Sequence, residues 1–284
     1  MNTILLIFVI IGVTLQQVCK KAFNTRVSGG TYSFSAASAF FAIIVFIATG
    51  KGSFALSYKA MSYSVGFAAA YGVSVVGSML AISTGPLALT SLIVQYSLVI
   101  PAMYGLIALD EPMDIWLICG IVLLLISLIL INRETEEEQK KITFTWGVYA
   151  FLSFVGNGAC SVIQKMQQID CSGMYKNEFM IAALAITAIV LMLFGIFYEK
   201  DMLIFNLKKG FIWYVICGLA NGVVNFFVLV LSLRLPASVM FPVISAGGII
   251  ATALVSMFVY KEKLSSFQKI GFLLGIIAIV VLNL

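Results

Sequence analysis

The chain has 284 residues, of which 62% are hydrophobic and 10% are charged, and its mean hydropathy is +1.09. Soluble domains are about 45–50% apolar and about 25% charged, so this composition excludes a water-soluble globular protein. The apolar excess is spread along the whole chain, so it is not one leader or anchor. The net charge of +5 is expected on loops that face lipid headgroups, and no nucleic-acid partner is inferred from it.

Ten apolar segments approach or reach the ~20 residues that a helix needs to cross the hydrocarbon core of a bilayer. They cover residues 3–18, 32–49, 60–83, 86–109, 115–131, 146–163, 179–197, 211–233, 236–260 and 267–282. Charged residues fall between these segments or at their edges, as expected because inserting a charge costs at least ~2.5–3.5 kcal/mol. The segments are too long and too uniformly apolar for barrel strands, so the predicted fold class is all-α integral membrane.

The two halves of the chain resemble each other. Pro86 and Pro236 each begin a predicted helix, and AYGV in the third segment stands opposite ANGV in the eighth. This predicts an N-terminal five-helix repeat (1–132), a polar linker (133–144) and a C-terminal five-helix repeat (145–284). Five is an odd number, so the second repeat enters the membrane from the opposite side. Ten transmembrane helices arranged as two five-helix inverted repeats are typical of secondary transporters, which bind substrate near the membrane midplane.

Two long stretches carry a resemblance to a known family. Each stretch has a helix, a short turn with a glutamate (Glu111 or Glu262) and a glycine about nine residues later. The stretches are PLALTSLIVQYSLVIPAMYGLIALDEPMDIWLICGIVLLLISLILIN and FPVISAGGIIATALVSMFVYKEKLSSFQKIGFLLGIIAIVVLN. In this order they resemble the drug/metabolite transporter superfamily in its ten-helix EamA-like form. Lys21 and Lys165, at the ends of the first and sixth segments, also resemble the family pattern.

The sequence departs from that pattern in two places. Many members carry an arginine early in the second helix, and residues 35–46 have none. The first helix has Gln16 and Gln17 where the small four-helix drug exporters have a membrane-embedded glutamate. No Asp, Glu or His lies deep in a predicted span, and a proton relay normally needs one. Facilitated or exchange transport is therefore expected ahead of proton antiport.

The resemblance implies a multi-pass protein of the bacterial inner membrane. Its expected function is that of an exporter or exchanger that moves a small polar metabolite, such as an amino acid or a sugar derivative, by alternating access. A flippase for a lipid-linked substrate and a non-transporting assembly or receptor protein stay open as alternatives. An intramembrane enzyme is disfavoured, because the chain has no histidine and no paired acidic motif.

Polar side chains inside predicted spans are the candidate substrate-binding residues, because such groups usually face a bundle interior or a wet cavity. Spacing of three or four residues places several of them on shared helix faces. The candidates are Gln17, Lys21, Tyr71, Gln95, Asn157, Lys165, Asn221, Asn225 and Ser245. The structural alternative for each amide or hydroxyl is a bond to a neighbouring helix, and for each lysine it is a side chain that reaches to the interface.

Prolines and glycines predict hinges and close helix contacts. Pro101 removes a backbone hydrogen bond inside the fourth predicted helix, and Gly247 with Gly248 loosens the ninth, so both are candidate hinges. GLANG (218–222) and GFLLG (271–275) have glycines four residues apart, which permits close contact within one bundle. Glu111 and Glu262 end the fourth and ninth helices, where a carboxylate is expected to cap the N-terminus of the following helix.

The remaining partner and cofactor expectations come from composition. The five cysteines form no CxxC pair and histidine is absent, so no metal site or cofactor is expected. The expected partners are the lipid bilayer and a small-molecule substrate, with a monomer as the default and a dimer left open. An even number of helices places both termini on one side. The distribution of Lys and Arg favours the outside, whereas the family resemblance implies the inside, and both orientations stay open.

Overall fold

The computed structural model describes residues 2–27, 30–50, 55–84, 90, 93–94, 96–132, 143–259 and 266–281. Within these ranges the regular structure is helical. The helices are α1 Asn2–Arg26, α2 Thr31–Thr49, α3 Tyr58–Thr84, α4 Val99–Ala108, α5 Ile115–Asn132, α6 Phe144–Asp170, α7 Lys176–Tyr198, α8 Leu203–Lys209, α9 Phe211–Ser232, α10 Ala237–Val259 and α11 Ser266–Val281, and a 3₁₀ turn, Tyr96–Leu98, precedes α4.

Six of the described helices are long and apolar enough to cross a membrane. The spans are Asn2–Lys20, Thr31–Thr49, Tyr58–Ser78, Phe144–Asp170, Lys176–Tyr198 and Phe211–Ser232. Shorter apolar helical stretches run over Tyr96–Ala108, Ile115–Ser127, Ala237–Gly248 and Lys269–Ala278. The all-helical, membrane-spanning character is therefore confirmed. The arrangement as ten spans in two inverted repeats stays a prediction.

The chain divides into two compact units. The first contains Met1–Gly72 and Ile163–Arg234, and the second contains Val73–Val162 and Leu235–Leu284. Each unit therefore combines residues from both halves of the sequence, and the unit boundaries fall inside α3 and α6. The predicted repeats rest on sequence similarity, whereas the two units are defined by compactness. The division into units therefore does not test the repeats, which stay a prediction.

In the first unit, α2 packs against α7 and α9, and α1 packs against α9. The carboxylate of Glu199, just after α7, accepts hydrogen bonds from the backbone N–H groups of Tyr32 (2.7 Å) and Ser33 (3.0 Å) at the start of α2. At the other end of the pair, Asn177 donates its amide to the carbonyl of Phe46 (3.0 Å) near the end of α2. Helices α2 and α7 are therefore antiparallel and tied at both ends.

Two glycines of α9 explain its close approach to α2. A Cβ at Gly218 would lie 2.5 Å from the carbonyl oxygen of Ser38, and a Cβ at Gly222 would lie 2.7 Å from that of Ala42. Only a residue without a side chain allows the two backbones to come so close. The prediction that GLANG makes an intramolecular helix contact is confirmed.

The second unit is built from the pairs α5–α11 and α4–α10. Ser127 of α5 donates its hydroxyl to the carbonyl of Gly271 in α11 (2.6 Å), and a Cβ at Gly275 would lie 2.8 Å from the Ser127 hydroxyl. The GFLLG segment thus makes the predicted close contact. Glu111, just after α4, accepts hydrogen bonds from the backbone N–H groups of Ala237 (2.7 Å) and Ser238 (2.9 Å) at the start of α10.

The fourth predicted helix differs from a continuous α-helix. The 3₁₀ turn Tyr96–Leu98 comes directly before α4, in which Pro101 is the third residue and is buried. Pro101 has no N–H to donate to the carbonyl of Ser97, so one backbone hydrogen bond is absent where the turn meets α4. The loss of a backbone bond was expected here, whereas the hinge itself stays a prediction.

Helix α8 was not predicted from the sequence. It lies between α7 and α9, and its sequence, LIFNLKK, mixes apolar and polar residues over seven positions. This is too short for a span and too short to show a helical period. Gly210 forms the α8–α9 turn. Its backbone N–H donates to the carbonyl of Asn206, and a Cβ at this position would collide with the ring of Phe23.

Candidate functional site

Three amide side chains form a continuous hydrogen-bonded chain inside the first unit. Gln164 of α6 donates its Nε2 to the Oδ1 of Asn225 on α9, at 2.6 Å. Asn225 in turn donates its Nδ2 to the Oδ1 of Asn221, also at 2.6 Å, and to the Asn221 carbonyl at 2.9 Å. We call Gln164, Asn225 and Asn221 the amide chain. It joins two helices of span length through polar groups that lie away from both helix ends.

The positions of the amide chain follow from helix geometry. Asn221 and Asn225 are four residues apart, so their side chains lie one above the other on the same face of α9. Gln164 and Asn221 are buried, and Asn225 is half-buried. A buried amide needs hydrogen-bond partners, because leaving one unsatisfied costs about 1–3 kcal/mol. Mutual bonding meets part of that need, and an amide retains further donors and acceptors for a ligand.

Lys165 directly follows Gln164 on α6, and only 6% of its surface is exposed. A buried ammonium is expensive in a membrane-spanning helix, so it is retained where it serves an ion or substrate path or a specific partner. Lys165 was singled out from the sequence, and its burial is compatible with a place inside the helix bundle. Its role in substrate binding stays a prediction.

Two further amides extend the polar stripe toward the end of α6. Gln168 donates to the Oε1 of Gln167 at 2.5 Å, and Gln167 donates to the carbonyl of Met174 at 3.0 Å. Both side chains are buried. Sequence reasoning missed Gln164, Gln167 and Gln168. A signal for two of them existed, because residues 157, 161, 164 and 168 recur at helical spacing and share one face of α6.

A tyrosine, a lysine and an aspartate meet where α3 begins and α6 ends. Lys59 forms an ion pair with Asp170 (Nζ–Oδ2 3.0 Å), and Tyr63 donates its hydroxyl to the same oxygen at 2.5 Å. The pair is largely exposed, so its contribution to stability is modest. Lys59 and Tyr63 are four residues apart on one face of α3, which is the signal that sequence reasoning overlooked.

The other predicted residues in the described ranges have contacts of their own. Tyr71 of α3 is half-buried and stacks on Phe67, with ring centroids 5.9 Å apart and an interplanar angle of 12°. In the second unit, Asn157 donates to the hydroxyl of Ser97 at 2.6 Å. Ser245 is half-buried on α10.

Some predicted positions fall outside what the structure describes. Gln95 is one of them, and for Gln17 and Lys21 the backbone belongs to α1 while the side chains are outside the description. The candidate hinge residues Gly247 and Gly248 are buried within α10, which also contains Pro242 and runs as one helix. Their role as a hinge stays a prediction. Glu262 also lies outside the described residues.

Comparison with known proteins gives two results. Residues 144–284 match the EamA-like transporter family. A solved crystal structure, described only as that of a protein, aligns with 99% of this chain and 95% of its own, with a TM-score of 0.80 and 12% sequence identity. At that identity the likeness shows a shared fold and nothing of function. A comparison with curated proteins found no match.

Proposed function

Residues 144–284 form a domain of the EamA-like transporter family, part of the drug/metabolite transporter superfamily, and the chain is an integral multi-pass membrane protein; on this premise we propose that it is a secondary transporter of a small polar metabolite. Transporters of this family type are not enzymes. The proposed cargo is an anionic or zwitterionic solute, such as an amino acid or a sugar derivative. The proposed mechanism is alternating access in the inner membrane of a bacterium.

The observation that carries the proposal is the amide chain beside Lys165. Helix–helix hydrogen bonds in membranes contribute only about 0.6 kcal/mol on average, so two buried amides, a half-buried amide and a buried lysine exceed what packing requires. Amides offer donors and acceptors to hydroxyl, amino or carboxyl groups, and an ammonium selects for negative charge. Together these groups match a small solute that carries a carboxylate or phosphate and several hydrogen-bonding groups.

The contact pattern also supports the inverted repeat that alternating access exploits. Antiparallel pairing joins α2 with α7, and the end of α4 meets the start of α10. These are the second and seventh, and the fourth and ninth, of the ten predicted spans. Equivalent elements of two inverted copies are expected to meet in this antiparallel way. Such copies can exchange conformations to open toward either side of the membrane.

The first experiment identifies the substrate. Purified protein is screened for solutes that raise its melting temperature, because a ligand that binds the folded state stabilises it. The best solutes are then tested for saturable flux in proteoliposomes. We expect Asn225→Leu to reduce flux strongly and Ser127→Ala, which removes a structural hydroxyl contact in the other unit, to leave flux near that of the unsubstituted protein. Equal flux through both variants would contradict a substrate role for the amide chain.

The same assay separates the main alternatives. A flippase for a lipid-linked substrate moves its cargo between leaflets and shows no saturable release of a water-soluble solute from vesicles. An assembly or receptor protein shows neither activity. Saturable flux of a soluble amino acid or sugar derivative that depends on Asn225 is the result expected here.

A further inference from the structure

The segment that joins α7 to α9 lies at one surface of the membrane. Both α7 and α9 are of span length, so the residues between them, 199–210, are at the membrane boundary. They include α8, whose last turn holds Lys208 and Lys209. Ile204, Phe205, Phe211 and Ile212 are all large apolar residues with about half or more of their surface exposed. This combination of exposed apolar residues and lysines is typical of a helix that lies in the lipid interface.

An open groove runs along α8 and the beginning of α9. Its volume is about 450 Å³, and it is lined by Ile204, Leu207, Lys208, Phe211 and Tyr214. Four of the five lining side chains are apolar or aromatic, and the fifth is an exposed ammonium. A small water-soluble ion would contact the lysine but not bury the apolar wall, whereas an uncharged acyl chain would bury the wall but leave the ammonium without an anion. The lining therefore matches an amphiphile with a negative head.

Two more cations lie at the same end of the first unit, each above an aromatic ring. The Lys209 Nζ is 5.1 Å from the centroid of the Phe205 ring, and the Arg26 Cζ is 5.0 Å from that of Trp213. Cation–π contact holds each charge in place without neutralising it. Tryptophan and tyrosine at this level are also characteristic of the headgroup region.

The nearby acids do not cancel this positive charge. Glu199 is engaged by the backbone N–H groups at the start of α2. Asp201 is exposed in the turn before α8, and Lys200 stands next to it. Residues 199–213 thus carry three lysines and two carboxylates, and the Glu199 carboxylate is already hydrogen-bonded to α2. Arg26 adds a further positive charge.

We propose that this groove binds one anionic phospholipid. The headgroup phosphate contacts the ammonium groups of Lys208 and Lys209, and an acyl chain lies along Ile204, Leu207 and Phe211. The site is separate from the amide chain, so it serves anchoring of the α7–α9 connection to an anionic leaflet rather than transport. A zwitterionic lipid is disfavoured, because its quaternary amine is repelled by the same cations that attract its phosphate.

Native mass spectrometry of the detergent-solubilised protein tests the proposal by counting lipids retained on the folded chain. The probes are dioleoylphosphatidylglycerol, dioleoylphosphatidylcholine and water-soluble glycerol phosphate. We expect preferential retention of phosphatidylglycerol, with affinity reduced about fivefold by Lys208→Gln and unchanged by the control Lys269→Gln, an exposed lysine on α11. Ile204→Ser should also weaken phosphatidylglycerol binding, by shortening the apolar wall.

Three results would overturn the proposal. The first is equal retention of phosphatidylglycerol and phosphatidylcholine by the unsubstituted protein. The second is phosphatidylglycerol binding by both Lys208→Gln and Ile204→Ser that matches the control. The third is binding of glycerol phosphate as tight as that of the lipid, which would make the groove a plain phosphate site. Lys208 and Ile204 are exposed, so both variants are expected to fold.

Discussion

Glu111 and Ser238 are 127 positions apart in the chain, yet the Oε2 of Glu111 accepts hydrogen bonds from both the backbone N–H (2.9 Å) and the hydroxyl (2.7 Å) of Ser238. The other carboxylate oxygen accepts the N–H of Ala237. A negative charge placed on the free N–H groups of a helix start is stabilised by the helix dipole. Glu199 does the same for α2 in the first unit. Each unit therefore contains a helix start held by a glutamate from the other half of the sequence.

Removing the Glu111 carboxylate should destabilise the fold. Glu111→Ala leaves the N–H groups of Ala237 and Ser238 without their acceptor, and hydrogen bonds to charged groups contribute about 1.5–3 kcal/mol. We expect a lower melting temperature in detergent, with Glu111→Gln intermediate because an amide retains one acceptor oxygen. Asp201→Asn, at an exposed turn, is the control and should melt as the unsubstituted protein does. Unchanged melting of Glu111→Ala would show that the contact contributes little.

Two glycine substitutions should change stability in opposite directions. Gly218→Ala places a methyl group 2.5 Å from a backbone oxygen of α2, and overpacking of this kind costs about 1–3 kcal/mol. A Cβ at Gly147 of α6 meets nothing within 4 Å, so Gly147→Ala should gain up to about 1 kcal/mol of helix propensity. Thermal unfolding of both variants measures the difference. Equal melting temperatures would contradict the close α2–α9 contact.

The hydrogen bond between Gln164 and Asn225 predicts energetic coupling between the two positions. A double-mutant cycle with Gln164→Met and Asn225→Leu should give a coupling free energy of about 0.6 kcal/mol, and at most about 1.7 kcal/mol. The control cycle pairs Gln164→Met with Thr187→Val, whose hydroxyl donates within α7 to the carbonyl of Ala183, and should give no coupling. The free energies come from reversible unfolding in mixed micelles. Additive effects in the first cycle would show that Gln164 and Asn225 are not energetically coupled, and Gln164 would then not belong to the amide chain.

Lys165→Gln should weaken transport of negatively charged solutes more than transport of neutral ones. If the ammonium contacts a carboxylate or phosphate, its loss removes about 1.5–3 kcal/mol of binding, which is about a tenfold to hundredfold increase in KM. Flux of a neutral polar solute should change little, and Lys269→Gln should affect neither. The measurement is the concentration dependence of flux in proteoliposomes. An equal increase in KM for charged and neutral solutes would assign Lys165 a structural role.

Local patterns predicted the features that depend on neighbours in sequence. The pairing of Asn221 with Asn225 follows from a spacing of four residues, and the close glycine contacts follow from the GLANG and GFLLG motifs. In each of these cases the decisive chemistry lies within one or two helical turns, so periodicity and steric rules are sufficient.

Features that depend on distant segments were found only in part. Glu111 was expected to cap the following helix, α5, but its carboxylate binds the start of α10 instead. Its partner Ala237 lies 126 positions away, and no local rule selects it. Glu199 was missed altogether for the same reason. Gln164 was not predicted, because its partner Asn225 lies 61 positions away. Helix α8 gave no usable signal, because seven mixed residues do not establish a period.

Counterflow in proteoliposomes tests the transport proposal most directly. Vesicles are loaded with an unlabelled solute from the stabilisation screen, and the entry of the same labelled solute is followed with no pH gradient. We expect saturable entry that internal solute accelerates, and that Asn225→Leu abolishes while Ser127→Ala preserves it. Absence of saturable entry, or entry that occurs only under an imposed pH gradient, would contradict an exchanger that works through the amide chain.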